Sequence, residues 1–277
     1  MKGNLASSRP FLTEGDEGPQ AAGNTHSLSV TGSLSGRPAT WALPEEVPVA
    51  LLLNSAPYAV MMATPADLED FAMGFALSEG LVKRVGDIAN VLAFPSGEGF
   101  TADIAVAEGK LIRERMVSRT LEGRVGCGLC GVSEMADAIR MPEGRLGMAA
   151  LTPDAIARAF AELPRFQPMN AVNHTVHAAA WVSPEGRIRF AREDVGRHNA
   201  LDKLIGAMAR AGSDPRDGFV VMSSRCSFEL VQKCAIAGIA ALATVSAPTA
   251  LAWRLAREAG LQLAALSKQG VMIFEGE

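Results

Sequence analysis

The chain has 277 residues, with 26 Lys and Arg against 30 Asp and Glu, for a formal net charge of -4. That balance lacks the basic field that a protein coating nucleic acid needs. No apolar run is long enough to span a bilayer, and four cysteines are too few for a disulfide scaffold at this length.

Hydrophobic residues make up 48% of the chain, enough for one large core or two modest ones. Lys2 is not followed by an apolar stretch, so a cytoplasmic protein is expected rather than a secreted one.

Residues 1–40 are rich in Gly, Ser, Thr and Pro. Such a composition cannot offset its ordering entropy by burial, so a flexible leader is expected, with order beginning near Trp41. Residues 47–54 and 58–62 read as strands joined by the turn Asn54-Ser55-Ala56-Pro57. Thr64 before Pro65 has the form of a helix N-cap with proline in the first turn. Leu68, Phe71, Ala72, Phe75 and Leu77 then recur on one helical face, and Gly80 is a stop. Ile104-Ala105-Val106 and Leu111-Ile112 read as a further hairpin. Helices are predicted over 135–140 and from Pro153 to about Leu163.

The second half alternates. A segment over 173–182, a turn over 183–186 and a strand over 187–191 that pairs back open it. A helix over 200–211, a strand over 219–223 and a helix over 229–237 follow. A strand over 243–246, a helix from Pro248 to about Ala259 and a strand over 261–266 close it. This alternation argues for an α/β layered domain. The expected division is the leader 1–40, a smaller α+β part over 41–145, and a larger part over 146–277.

Gly126-Cys127-Gly128-Leu129-Cys130-Gly131 is the chemical centre of the sequence. Its C-x-x-C spacing brings two sulfurs close, and the glycines allow positive φ and exposed thiols. A thiolate there can attack a persulfide and become the persulfide itself. The same spacing is half of a structural zinc site, which His174 and His177 would complete, and it is also a redox motif. Cys226 and Cys234 read as small core residues.

A second group, Glu193, Asp194, Arg197 and His198, sits between a strand and a helix, a common place for ligands in α/β proteins. Asp194 or Asn199 can equally cap the helix there. Arg197 can equally pair with Asp194 or Glu193, and His198, when protonated, can donate to a phosphate.

Four segments in order resemble the formate dehydrogenase accessory sulfurtransferase family, FdhD. They are MMATPADLEDFAMGFALSEGLV from Met61, GCGLCG from Gly126, REDVGRHNALDK from Arg192, and SFELVQKCAIAGIAALATVSAPTALA from Ser227. The similarity runs from about Val47 to Phe274. It implies a cytidine-deaminase-like layered core, a homodimer, and a carrier that takes persulfide sulfur from a cysteine desulfurase. The acceptor it implies is the molybdenum bis(molybdopterin guanine dinucleotide) cofactor of formate dehydrogenase or another molybdoenzyme.

By this resemblance Cys127 carries the persulfide and Cys130 assists. Leu266, Ser267, Lys268, Gln269, Gly270 and Val271 form the cofactor-binding stretch, and Arg197 and His198 contribute to it; no metal ligands are implied. The sequence departs from the family pattern in three places. Val125-Gly126 stand where two serines precede the first cysteine. Asn173-His174-Thr175 replace T-G-G. Lys268 replaces an arginine, which keeps the charge but loses bidentate phosphate geometry.

Two other readings compete: a zinc-stabilised or cofactor-holding chaperone without sulfur transfer, and a disulfide reductase. A deaminase activity is not supported, because His177-Ala178-Ala179 lacks the glutamate of H-x-E and no P-C-x-x-C follows.

Overall fold

The structure, a computed structural model, describes residues 26–113, 139, 141–142, 144–147 and 151–274. Cys127, Cys130, Val125 and nearly all of the helix predicted over 135–140 lie outside the described residues.

Order begins earlier than Trp41. Strands β1 (Ser27–Leu34) and β2 (Arg37–Pro44) form an antiparallel ribbon, which corrects the expected leader from Ser27 onward. Ser35 and Gly36 both take positive φ, as a two-residue hairpin turn requires. The Ser/Thr-rich composition concealed an alternation of Leu28, Val30 and Leu34 with small polar residues.

The smaller sheet has the order β4-β3-β6-β5, from β3 (Val47–Leu53), β4 (Ala56–Ala63), β5 (Ile88–Ser96) and β6 (Gly99–Val106). The β3–β4 hairpin falls where the sequence places it. The second hairpin does not: β6 pairs with β5, and Leu111-Ile112 form no strand. Pro95 argues against a strand in β5, but β5 is an edge strand, where a missing N–H donor is tolerated.

Helix α1 (Leu68–Ser78) packs on one face of this sheet through Phe71, Phe75 and Ala72, against Val49, Leu51 and Ile104. Its N-cap is Asp67, not Thr64. Thr64 is fully buried and spends all three polar groups on the other half of the chain. Its N–H donates to Asp194, its hydroxyl accepts from Val195 N–H, and its carbonyl accepts from Lys203.

The larger sheet has the order β12-β11-β10-β9-β7-β8. Its strands are β7 (His177–Val182), β8 (Ile188–Asp194), β9 (Phe219–Met222), β10 (Ala241–Val245), β11 (Gln262–Ser267) and β12 (Gly270–Phe274). β9, β10 and β11 run parallel, while β7 and β12 run antiparallel to their neighbours. The last of these strands lies beyond the final strand read from the sequence.

Successive side chains point to opposite faces of a strand, and β7 serves two cores in this way. Ala179 and Trp181 face α4 (Arg197–Arg210), α5 (Phe228–Ile236) and α6 (Ala250–Ala259). Ala178, Ala180 and Val182 face α2 (Pro153–Glu162). A short helix, α3 (Pro168–Asn173), precedes β7, so the segment read from Asn173 becomes a strand only at His177, after His174 closes the helix with a left-handed φ. Helix α6 begins after Thr249, whose hydroxyl accepts from Ala252 N–H, so Pro248 stays outside it. The mixed α/β class expected from the alternation is what the chain adopts. Among the described residues no helix is long and apolar enough to cross a membrane.

The two halves meet where α1 crosses α4. A side chain added at Gly74 would run into the Asp202 carbonyl, and one at Gly206 into that of Asp70. The helices therefore touch through backbone, and charges are buried around the contact. Lys233 on α5 donates to Asp202 Oδ1 and Oδ2 at 3.0 Å, to Glu79 at 2.9 Å and to Ser78 at 3.0 Å. Burial raises the Asp202 carboxyl, with Lys233 opposing the rise.

A methyl group has no room at this crossing, and overpacking of this kind costs about 3 kcal/mol. Gly206→Ala is expected to lower the unfolding free energy by about that much in urea denaturation; an unchanged midpoint would show that the helices are free to separate.

Candidate functional site

The parallel strands of the larger sheet end at one edge. The amino ends of α4, α5 and α6 follow β8, β9 and β10 there. His177, Arg197, Ser224, Arg225, Cys226, Ser227, Ala247 and Thr249 line a cleft of about 180 Å³ at this edge. Its position outside the carboxyl ends of strands is the usual ligand position in open α/β sheets.

Asp194 builds the corner that carries Arg197. It ends β8 and is fully buried. Oδ1 accepts from Gly196 N–H at 2.8 Å and Asn199 Nδ2 at 3.0 Å. Oδ2 accepts from Thr64 N–H at 3.0 Å and pairs with Lys203 at 2.6 Å. Asn199 also donates to the Met62 carbonyl at 2.7 Å. Both side chains are therefore structural, but neither caps the following helix: its N-cap is Gly196, with no side-chain cap bond. Glu193 is structural too: it accepts from Met169 and Asn170 N–H at the start of α3.

Arg197 does not pair with either carboxylate. Among the described residues neither Arg197 nor Arg225 forms an ion pair, so two guanidinium groups face the cleft uncompensated. Helix amino ends add to this field. Gly196 and Ser227 are the N-caps of α4 and α5, and neither makes a side-chain cap bond. The Ser227 hydroxyl is buried without a hydrogen-bond partner, so a donor at the cleft wall remains available. Two free guanidinium groups, unspent helix-end N–H groups and a hydroxyl suit a ligand carrying phosphates.

His198 is less simple than the sequence suggests. Burial, then Arg197 and Lys233, push its pKa down to about 3, so the imidazole is neutral near pH 7. Its Nε2 has no hydrogen-bond partner and stands 3.9 Å from Glu229 Oε2, which is also unpartnered. Burial, then Arg197, lower His177 as well. Any donation from His198 to an anion comes from the neutral ring.

The C-terminal stretch is a hairpin turn on the same sheet edge. Ser246 N–H donates to the Leu266 carbonyl at 3.1 Å, which ties this turn to the strand end beside Ala247. Leu266 and Val271 pack against the core shared with α2. Ser267 shapes the turn, donating to the Gly270 carbonyl and accepting from Gln269 N–H. Gly270 has φ +122, which a side chain rarely permits. Lys268 and Gln269 are exposed. Ser267 and Gly270, on either side of them, are exposed as well.

The sequence reading missed Arg225, Ser227 and Thr249. The signal was present: a strand ending in Ser-Ser-Arg before a helix, and Thr after Pro at the next helix start. The departure at Asn173-His174-Thr175 has a local explanation. His174 takes the left-handed φ of 53 that closes α3, where the family pattern carries glycine, and Asn173 accepts from Thr175 N–H to hold the turn. Cys226 and Cys234 are fully buried, and burial pushes the Cys226 thiol up to about 12, so both behave as core residues. Among the described residues no three metal-ligating side chains gather.

The model of the FdhD/NarQ family matches residues 44–276. The sulfur carrier protein FdhD of Chromobacterium violaceum is 48% identical over 248 residues, covering 88% of this chain and 92% of that protein. The sulfur carrier protein FdhD of Bordetella petrii is 45% identical over 219 residues, 79% of each. A crystal structure of a protein assigned as a formate dehydrogenase accessory protein, from Desulfotalea psychrophila, has a similar fold. Its TM-score is 0.69 at 24% identity, over 90% of this chain and 96% of that one.

His198 makes acid stability a test of the site. Its folded pKa is depressed, so its contribution is complete above the unfolded value near 6.5 and is lost as pH falls toward 3. In that window the unfolded chain holds a proton that the native chain lacks, which costs about 1.4 kcal/mol per pH unit. His198→Gln is expected to flatten the fall in unfolding free energy between pH 6 and pH 4 by nearly one proton. An unchanged slope would mean that the ring is solvated and charged.

Proposed function

The chain belongs to the FdhD/NarQ family, and from that premise we propose that it is a sulfur carrier serving a molybdenum-containing formate dehydrogenase. It takes persulfide sulfur from a cysteine desulfurase on Cys127 and passes it to the molybdenum bis(molybdopterin guanine dinucleotide) cofactor. It works in the cytoplasm, as a homodimer. The observation that carries the reading is the match over residues 44–276, a span that includes the Cys127–Cys130 motif. The cleft adds independent support, because its unpaired Arg197 and Arg225 suit the pyrophosphate links of such a cofactor.

The chemistry follows from the two cysteines. The Cys127 thiolate attacks the terminal sulfur of the donor persulfide. A new S–S bond forms, and the desulfurase thiolate leaves. The carried sulfur is formally zero-valent, so its release as sulfide takes two electrons. The acceptor supplies them, or Cys130 does by attacking Cys127, which leaves a disulfide between the two.

In this reading the cofactor is the substrate. The exposed turn at Lys268 and Gln269 contacts it, and Leu266, Ser267, Gly270 and Val271 hold that turn in shape. The larger part is read as a cytidine-deaminase-like core, supported by a mixed sheet with helices on both faces. Residues 127–130 lie in sequence between β6 of the smaller part and α2 of the larger.

Incubation of the full chain with a cysteine desulfurase and cysteine, followed by intact mass under non-reducing conditions, is expected to show a gain of one sulfur. That gain should vanish on reduction and be missing in Cys127→Ala. A chain that stays unloaded beside an active desulfurase, with its thiols reduced, contradicts the carrier reading.

A further inference from the structure

The β1–β2 ribbon has two unlike faces. Residues paired across an antiparallel ribbon share a face, and the register pairs Leu28 with Leu43, Val30 with Trp41, and Leu34 with Arg37. The opposite face carries Ser27, Ser29, Thr31 and Ser33. The apolar face is open: Leu28, Val30, Leu34, Trp41 and Leu43 are between 38 and 59% exposed. A two-stranded ribbon is marginal on its own. Here it packs on the short helix α3, with Asn173 donating to Ser27.

A second open apolar face lies on the four-stranded sheet, opposite α1. The register places Val60, Ala50, Thr101 and Phe94 in one row across all four strands. Leu52, Asp103 and Leu92 form the next row. Val60, Met62, Leu92 and Phe94 are 36 to 56% exposed. The ribbon's apolar face carries one formal charge, Arg37, and the outer sheet face also carries one, Asp103. The two charges are opposite in sign.

We propose that these surfaces cover each other between two copies of the chain: the ribbon of each copy lies on the outer face of its partner's four-stranded sheet. Strand lengths match, at 8 residues in each ribbon strand and 7 to 9 in the sheet. Area decides against ribbon on ribbon. At about 3.4 Å per residue and about 4.8 Å between strands, the ribbon face projects to about 260 Å². Ribbon on ribbon would therefore cover about a third of the roughly 800 Å² per partner of a stable interface. Reciprocal docking doubles the covered area to about 520 Å² per copy before side-chain relief is counted. The exchange closes as a two-fold dimer and leaves no face to propagate. It gives the homodimer of the proposed function an interface, and it rests on surface chemistry that does not involve Cys127. Sulfur loading is read separately, so failure of either reading is distinguishable from failure of the other.

The test is sedimentation of the full chain over a concentration series. Wild type is expected to be dimeric. Trp41→Glu and Phe94→Glu are each expected to weaken the dimer about 100-fold, as loss of a central apolar anchor does, with circular dichroism unchanged. An equimolar mixture of the two is expected to dimerise more tightly than either alone, because one ribbon and one sheet remain intact and face each other.

A monomeric wild type, a variant that dimerises like wild type, or a mixture no tighter than its components overturns the proposal. If either variant unfolds, wild type itself decides. The tryptophan emission that distinguishes it from Trp41→Phe should shift red on dilution as Trp41 is uncovered, and a constant emission overturns the proposal.

Discussion

The buried pair of Asp194 and Lys203 is the contact on which the site depends. Both side chains are fully removed from solvent. A buried ion pair of this kind gives little net stability, but removing either partner leaves an uncompensated charge at a cost of about 3–5 kcal/mol. The pair therefore acts as a constraint. The Lys203 ammonium also donates to the Thr64 carbonyl, and Asp194 accepts from the Thr64 N–H. One strand end, one helix and one residue of the smaller half are held in a single arrangement. Arg197 and His198 project from that corner.

A second constraint lies one helix away. Lys233, with Asp202, Glu79 and Ser78, joins α5 to α4 and α1 at the glycine crossing. The amino end of α5 supplies Ser227, and the turn before it supplies Arg225. Buried charges thus fix the backs of the helices whose front ends form the cleft. Among the described residues, Arg197 and Arg225 face the cleft without an ion pair, while Asp194, Lys203, Asp202 and Lys233 are paired in the interior. That arrangement gives the cleft a positive lining in a chain whose net charge is -4.

Much of this was legible in the sequence, and the failures have physical causes. The α/β alternation, the β3–β4 hairpin and the helices of the second half followed from periodicity, because those segments bury one face each. The motif around Asp194 was recognisable as a strand-to-helix corner, but which residues hold it and which face the ligand was not. That division depends on Thr64, 130 residues away. Thr64-Pro65 looks like a helix start because local chemistry favours one there; the tertiary partners of Thr64 override it. The β1–β2 ribbon was hidden by its Ser and Thr, which fill an exposed face. Ser-Ser-Arg before a helix marks a strand end, but the place of Arg225 in the cleft comes from sheet order, which brings three strand ends together.

The account assigns loading to Cys127 and delivery to the cleft, and a single-turnover transfer experiment separates the two. Chain loaded with isotopically labelled persulfide sulfur would be mixed with the isolated molybdenum cofactor, comparing wild type with the Arg197→Gln, Arg225→Gln double variant. Two charge-assisted contacts at about 1.5 kcal/mol each correspond to roughly 100-fold in affinity. The account predicts normal loading of the variant and a cofactor requirement raised by about that factor. Delivery by the variant at the wild-type cofactor concentration would contradict it and place the acceptor elsewhere on the molecule.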